Sequence, residues 1–79
     1  MNSRRYQKLD VRPMLRKGIE PFPTIMAKVE ALPPDEGLEL TAPFMPAPLV
    51  EFLGGQGFEV NMERSDEDGS WIVWFWKGK

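Results

Sequence analysis

Residues 58–76 read Phe58-Glu59-Val60-Asn61-Met62-Glu63-Arg64-Ser65-Asp66-Glu67-Asp68-Gly69-Ser70-Trp71-Ile72-Val73-Trp74-Phe75-Trp76. Phe58, Val60 and Met62 alternate with Glu59, Asn61 and Glu63, the period-two pattern of a half-buried strand. Ser65 to Ser70 is polar and contains Gly69, as a hairpin connection should be. Trp71 to Lys77 reads as the returning strand. Its six residues from Trp71 to Trp76 are apolar on both faces. Trp71, Val73 and Phe75 point one way, and Ile72, Trp74 and Trp76 point the other. A strand with two apolar faces belongs in the middle of a sheet.

Upstream of this hairpin, the chain alternates between strand and helix patterns. Tyr6 to Val11 reads as a strand with Leu9 and Val11 on one face. Arg12 to Glu20, with Pro13 and Gly18, reads as a loop. Phe22, Ile25, Met26, Val29 and Leu32 recur at spacings of three and four, which gives one apolar stripe on a helix. That helix starts near Pro21, since proline is tolerated in a first turn whose N–H groups have no partner. Pro33-Pro34 stops it, and Asp35-Glu36-Gly37 turns the chain. Leu38-Glu39-Leu40-Thr41 alternates as a strand. Pro46-Ala47-Pro48 opens a second helix with Leu49, Val50, Phe52 and Leu53 on its apolar side, and Gly54-Gly55-Gln56-Gly57 closes it.

The expected order is βαβαββ, and the expected class is α+β. Both strand–loop–helix halves end in a helix opened by Pro-x-Pro, which supports two parallel strands joined by a crossover. A two-layer α/β sandwich follows, with two helices on one face of a four-stranded mixed sheet. The domain should span residues 6–79, after a flexible tail over residues 1–5. Two helices cover one face only, so one stripe of the last strand is left beside Glu39, Thr41, Glu59, Asn61 and Glu63. A loop or the tail could fold over it. Alternatively, Trp71, Ile72, Val73, Trp74, Phe75 and Trp76 form a self-association surface and the protein is a homodimer.

Composition removes whole classes of chemistry. The 79 residues include no cysteine and no histidine. Disulfides, thiolate nucleophiles, serine–histidine triads and histidine- or thiolate-held zinc are therefore excluded within them. No cofactor and no metal are expected. The formal net charge is −2, with 10 basic and 12 acidic side chains, which gives nucleic-acid binding no electrostatic support. No apolar run is long enough to span a membrane, and a cytoplasmic protein is expected. Arg4, Arg5, Lys8, Arg12, Arg16 and Lys17 crowd the first 17 residues against Asp10 alone. They either neutralise the acidic remainder of the chain or form a basic patch for an anion or partner.

Leu9-Asp10-Val11-Arg12, then Glu20-Pro21-Phe22-Pro23, then Gly57 and a final hydrophobic strand resemble the TusA/SirA-like sulfur-carrier family over residues 8–77. The resemblance implies a small cytoplasmic two-layer sandwich. In that family a persulfide-bearing cysteine precedes Pro-x-Pro, and here Glu20 stands in its place. A carboxylate cannot carry sulfane sulfur, so the carrier chemistry is not inherited. The sequence is most similar to a related, uncharacterised branch that keeps Pro-x-Pro without the cysteine. Some of its members are fused to other domains such as hemerythrin-like ones, which by analogy suggests sensing or binding.

Candidate site residues follow from the same layout. The loops at 12–20 and 41–46 should emerge from one edge, at the carboxyl ends of parallel strands, where open α/β sheets bind ligands. Arg12, Arg16 and Lys17 beside two helix starts would attract an anion, and Phe22, Phe44 and Met45 would supply apolar walls. Glu20 is either a cap on its helix or a ligand-contacting acid/base. The expected function is a non-enzymatic binding or adaptor domain for a partner protein or a small anionic ligand. The alternative is an accessory enzyme or carrier component in sulfur or redox metabolism that uses Glu20.

Overall fold

The computed structural model describes residues 4–77. The strands are β1 (Arg5–Asp10), β2 (Glu36–Ala42), β3 (Glu59–Arg64) and β4 (Trp71–Trp76), and the helices are α1 (Arg12–Arg16), α2 (Phe22–Glu30) and α3 (Ala47–Gly55). The chain is a small α+β domain with one mixed sheet in the order β1-β2-β4-β3. β1 and β2 run parallel, and β4 is antiparallel to both β2 and β3. The doubly apolar strand is thus central, as its pattern requires. None of the helices of the described residues is long and apolar enough to cross a membrane.

Three expectations need correction. The first is the loop at 12–20, whose first half is a helical turn. Pro13 in its first turn has no N–H to leave unpaired, and Leu15 N–H donates to Val11 O (3.0 Å). Met14 and Leu15 gain by turning inward against the core. Gly18, at φ +74°, ends the turn: its N–H donates to Leu15 O, and Ile19 N–H donates to Met14 O (2.9 Å). This is the paired closure that a left-handed glycine allows.

The second correction concerns Gly37, which is not a turn residue but lies buried inside β2. A Cβ there would collide with Phe75 O and would lie 2.7 Å from Tyr6 Cε1 and 2.9 Å from Trp76 Cε3. Two aromatic rings close over the bare backbone, a known use of glycine in a strand. The third concerns the tail expected over residues 1–5. Residues 1–3 lie outside the described residues, as do 78 and 79, whereas Arg5 already belongs to β1. Arg4 spans the sheet to Glu59 through two hydrogen bonds, of 2.8 and 3.2 Å.

The register sorts the two sheet faces. Leu38 sits opposite Phe75, and Leu40 opposite Val73; all four have no exposed surface. With Val11, Ile25, Ala42, Leu49 and Leu53 they make one core. Ile25 comes from α2, and Leu49 and Leu53 from α3, so both helices pack on this face of the sheet. Tyr6, Gly37, Trp76 and Glu59 form the first row of the opposite face. Lys8, Glu39, Trp74 and Asn61 form the second, and Asp10, Thr41, Ile72 and Glu63 the third. No described element covers these rows. The apolar stripe left over is therefore Ile72, Trp74 and Trp76. Trp71, Val73 and Phe75 face the helices, and Val73 and Phe75 are closed to any partner.

Candidate functional site

The starts of α2 and α3 lie side by side at the carboxyl ends of β1 and β2, and an open groove of about 280 Å³ runs between them. Its walls are Leu15, Glu20, Pro21, Phe22, Ile25, Phe44, Pro46, Pro48 and Leu49. The two Pro-x-Pro segments explain the groove. Prolines in a first turn start a helix without donors and present flat ring surfaces instead of N–H groups. Phe22, between one pair of prolines, is 43% exposed, and Phe44, ahead of the other, is 54% exposed. Large apolar side chains left in water next to one another mark contact surfaces.

Glu20 supplies the groove's one ionisable side chain. Its carboxylate accepts the Phe22 N–H at 3.3 Å. Pro21 and Pro23 have no N–H, and Ile25 N–H already donates to Pro21 O. Glu20 thus satisfies one of the few donors that the helix start retains, from one residue before the cap position, which Pro21 holds without a side-chain hydrogen bond. At α3 the same stripping recurs: Pro46 and Pro48 have no donor, and Ala47 N–H donates to Met45 O (2.9 Å). These helix starts are poor anion cradles, because an anion at a helix terminus depends on free backbone donors.

The basic candidates do not converge on the groove. Arg12 turns to the hairpin: its guanidinium meets Asp10 at 2.8 Å and Asp68 at 3.1 Å. The Arg12 hydrogen bond holds the Asp10 carboxyl below the usual aspartate range, and Arg12 is in turn raised by Asp10. Asp68 lies lower still, at about 2, chiefly because it accepts the Ser70 N–H and hydroxyl, with Arg12 adding its charge. Arg12 therefore bridges β1 to the β3–β4 connection. Arg16 ends α1, and Lys17 follows it; both are exposed and outside the groove lining. Met45 is also exposed and outside it.

Of the expected ligand-binding set, the structure brings Glu20, Phe22 and Phe44 together. It adds Leu15, Pro21, Ile25, Pro46, Pro48 and Leu49. The signal for the prolines was in plain view in the repeated Pro-x-Pro, where they read only as helix openers. Phe52 of α3, 46% exposed, meets Phe22 edge-on at 6.4 Å between ring centroids. It extends the apolar surface toward a second groove of about 320 Å³ lined by Met26, Val29, Phe58 and Lys77 among others.

Fold and groove define a small α+β domain with an apolar, proline-walled groove and a single carboxylate in its lining. The model of the uncharacterised conserved protein family DUF2249 matches residues 8–77, and the chain belongs to that family. No curated protein and no solved structure matches the chain.

Proposed function

We propose that the domain is a non-enzymatic binding module that accepts an apolar segment of a partner protein in the groove between the starts of α2 and α3. The observation that carries this reading is the pair of exposed phenylalanines, Phe22 and Phe44, in one proline-walled groove. Aromatic side chains in such a position are the usual anchors of protein recognition. A small anion is the weaker ligand, because Arg12 is engaged by Asp10 and Asp68 and prolines remove donors from both helix starts. A TusA-like ancestry belongs to the same proposal. It is supported by Glu20-Pro21-Phe22-Pro23 at the opening of α2 and by the parallel β1–β2 pair, and it carries no persulfide chemistry. The enzymatic alternative, with Glu20 as acid/base, is less favoured because that carboxylate faces its own helix start.

The test is selection of a random peptide library on the folded domain. Wild-type protein should retain peptides with apolar anchors. Phe22→Ala and Phe44→Ala should each weaken the selected peptides about tenfold or more, with the circular dichroism spectrum unchanged. Peptides that bind both variants as well as wild type would remove the groove from consideration.

A further inference from the structure

The groove between the helix starts is one end of a longer seam. The first groove touches the starts of α2 and α3 and the second touches their later turns, so the two helices run side by side in one direction. On α2 the walls pass from Phe22 and Ile25 to Met26, Val29 and Glu30. On α3 they pass from Pro48 and Leu49 to Phe52, Leu53 and Gln56. Each shift is about five residues, or about 7.5 Å along a helix. The edge-on rings of Phe22 and Phe52 form the ridge between the two grooves. The first end of the seam is built on Pro21, Pro46 and Pro48, which have no N–H. Further along, the helix N–H groups are spent inside α2 and α3. The ends also differ in charge. The second groove is lined by Glu30 and Lys77, one of each sign. The first has Glu20 alone. Its Oε2 accepts the Phe22 N–H, and among the described residues no side chain or backbone group donates to Oε1.

Resting on the binding-module reading above, we propose that the partner segment is a short amphipathic helix lying along this seam, antiparallel to α2 and α3. It sets one apolar side chain in each groove and carries Lys or Arg in its last turn, beside Glu20. An added strand takes its affinity from main-chain hydrogen bonds, and the seam offers none. A helix satisfies its own backbone and needs only side-chain contact. Residues i and i+4 of a helix share one face and lie about 6 Å apart along its axis, close to the spacing of the grooves. The antiparallel direction brings the negative C-terminal end of the partner helix to the positive starts of α2 and α3. Cations are favoured in that last turn, and Glu20 is the charge that meets them. Glu20 is exposed, so its charge sets direction more than strength. The apolar anchors supply the affinity.

The test uses peptides selected on the folded domain. They should share two apolar positions four apart, followed by Lys or Arg, and their backbone carbon shifts should turn helical on binding. Replacing either apolar residue of the peptide by Ala should weaken binding about tenfold or more. A nitroxide at the peptide's C-terminus should broaden the amide resonances of Glu20 and Phe22. One at its N-terminus should broaden those of Gln56 and Lys77. Glu20→Lys should weaken binding severalfold, and a peptide with Glu in place of its basic residue should recover the loss. The proposal is overturned, with the groove reading intact, if Phe44→Ala abolishes binding but the first apolar residue of the peptide is dispensable. Bound peptides that stay extended overturn it equally, as do labels that act at the opposite ends or a charge exchange without recovery. Peptides indifferent to both Phe22→Ala and Phe44→Ala, or no retained peptide at all, remove the groove reading and this proposal together.

Discussion

Val73 and Phe75 have no exposed surface, whereas Ile72, Trp74 and Trp76, their neighbours in the same strand, keep part of theirs. The six residues are alike in hydrophobicity, and the difference comes from what lies over each face. On one side α2 and α3 bring Ile25, Leu49 and Leu53 onto the strand. On the other, among the described residues, cover comes from Arg4 and from side chains of the sheet itself: Tyr6 beside Trp76, Arg4 over its ring, and Glu39 on the Trp74 indole. Packing holds the first face together, and aromatic and ionic contacts at the water boundary hold the second. A long apolar run in a small domain can thus bury half its side chains beneath helices and leave the other half at the water boundary.

The largest expected effect tests that division directly. Phe75→Ala removes a fully buried ring and should cost about 3–5 kcal/mol. That is much of the ~4–12 kcal/mol available to a domain of this size. Trp74→Ala, one residue away and larger in volume change, should cost the monomer less than half as much, because part of its surface already meets water. Urea unfolding followed by circular dichroism measures both. Equal losses would mean that the second face is as much a core as the first.

Acid should separate the two kinds of support. Asp68 titrates at about 2 in the folded chain, below the ordinary aspartate value of 3.8, because Ser70 donates to it twice. Asp10 is also lowered, by Arg12. Between these values and the ordinary range, the unfolded chain binds more protons, so stability rises with pH. The contribution is full above about pH 4 and fades as the pH falls towards about 2. Thermal unfolding of wild type should therefore weaken over that window. Asp68→Asn should flatten the slope without touching the core. An unchanged slope would show that the Arg12 bridge and the hairpin turn add nothing to the folded state.

How much of this was legible in the sequence depended on the length of each pattern. The Trp71–Trp76 run, with Glu59-x-Asn61-x-Glu63 beside it, was enough to place β4 centrally and to identify the residues flanking its open stripe. The five residues of α1 are too few to show a helical period, and Pro13 and Gly18, which bracket it, read equally well as loop residues. Gly37 read as a turn because its real partners, Tyr6 and Trp76, are distant in sequence and reach it only through strand pairing. The same limit applied to the site. Phe22 and Phe44 could be nominated from exposure-prone loops and helix starts. The second partner of Arg12 was out of reach, since Asp68 lies 56 residues away and meets it only after the hairpin folds back.

The smallest predicted effect concerns Glu20, which the sequence left as either a helix cap or an acid/base. The structure gives its carboxylate one partner, the Phe22 N–H, at the long distance of 3.3 Å. Side-chain caps are worth about 0.5–2 kcal/mol when the bond is good, and a long contact one residue before the helix boundary belongs at the low end. Glu20→Ala should therefore cost about 0.5 kcal/mol. Glu20→Gln should cost less, since an amide oxygen still accepts the same N–H and loses only the charge favoured at a helix start. If peptide binding at the groove survives Glu20→Gln while Phe44→Ala abolishes it, the carboxylate shapes the rim and the rings make the contact. A Gln variant that folds like wild type yet loses all binding would give the charge of Glu20 a direct role in recognising a basic group beside the apolar anchor.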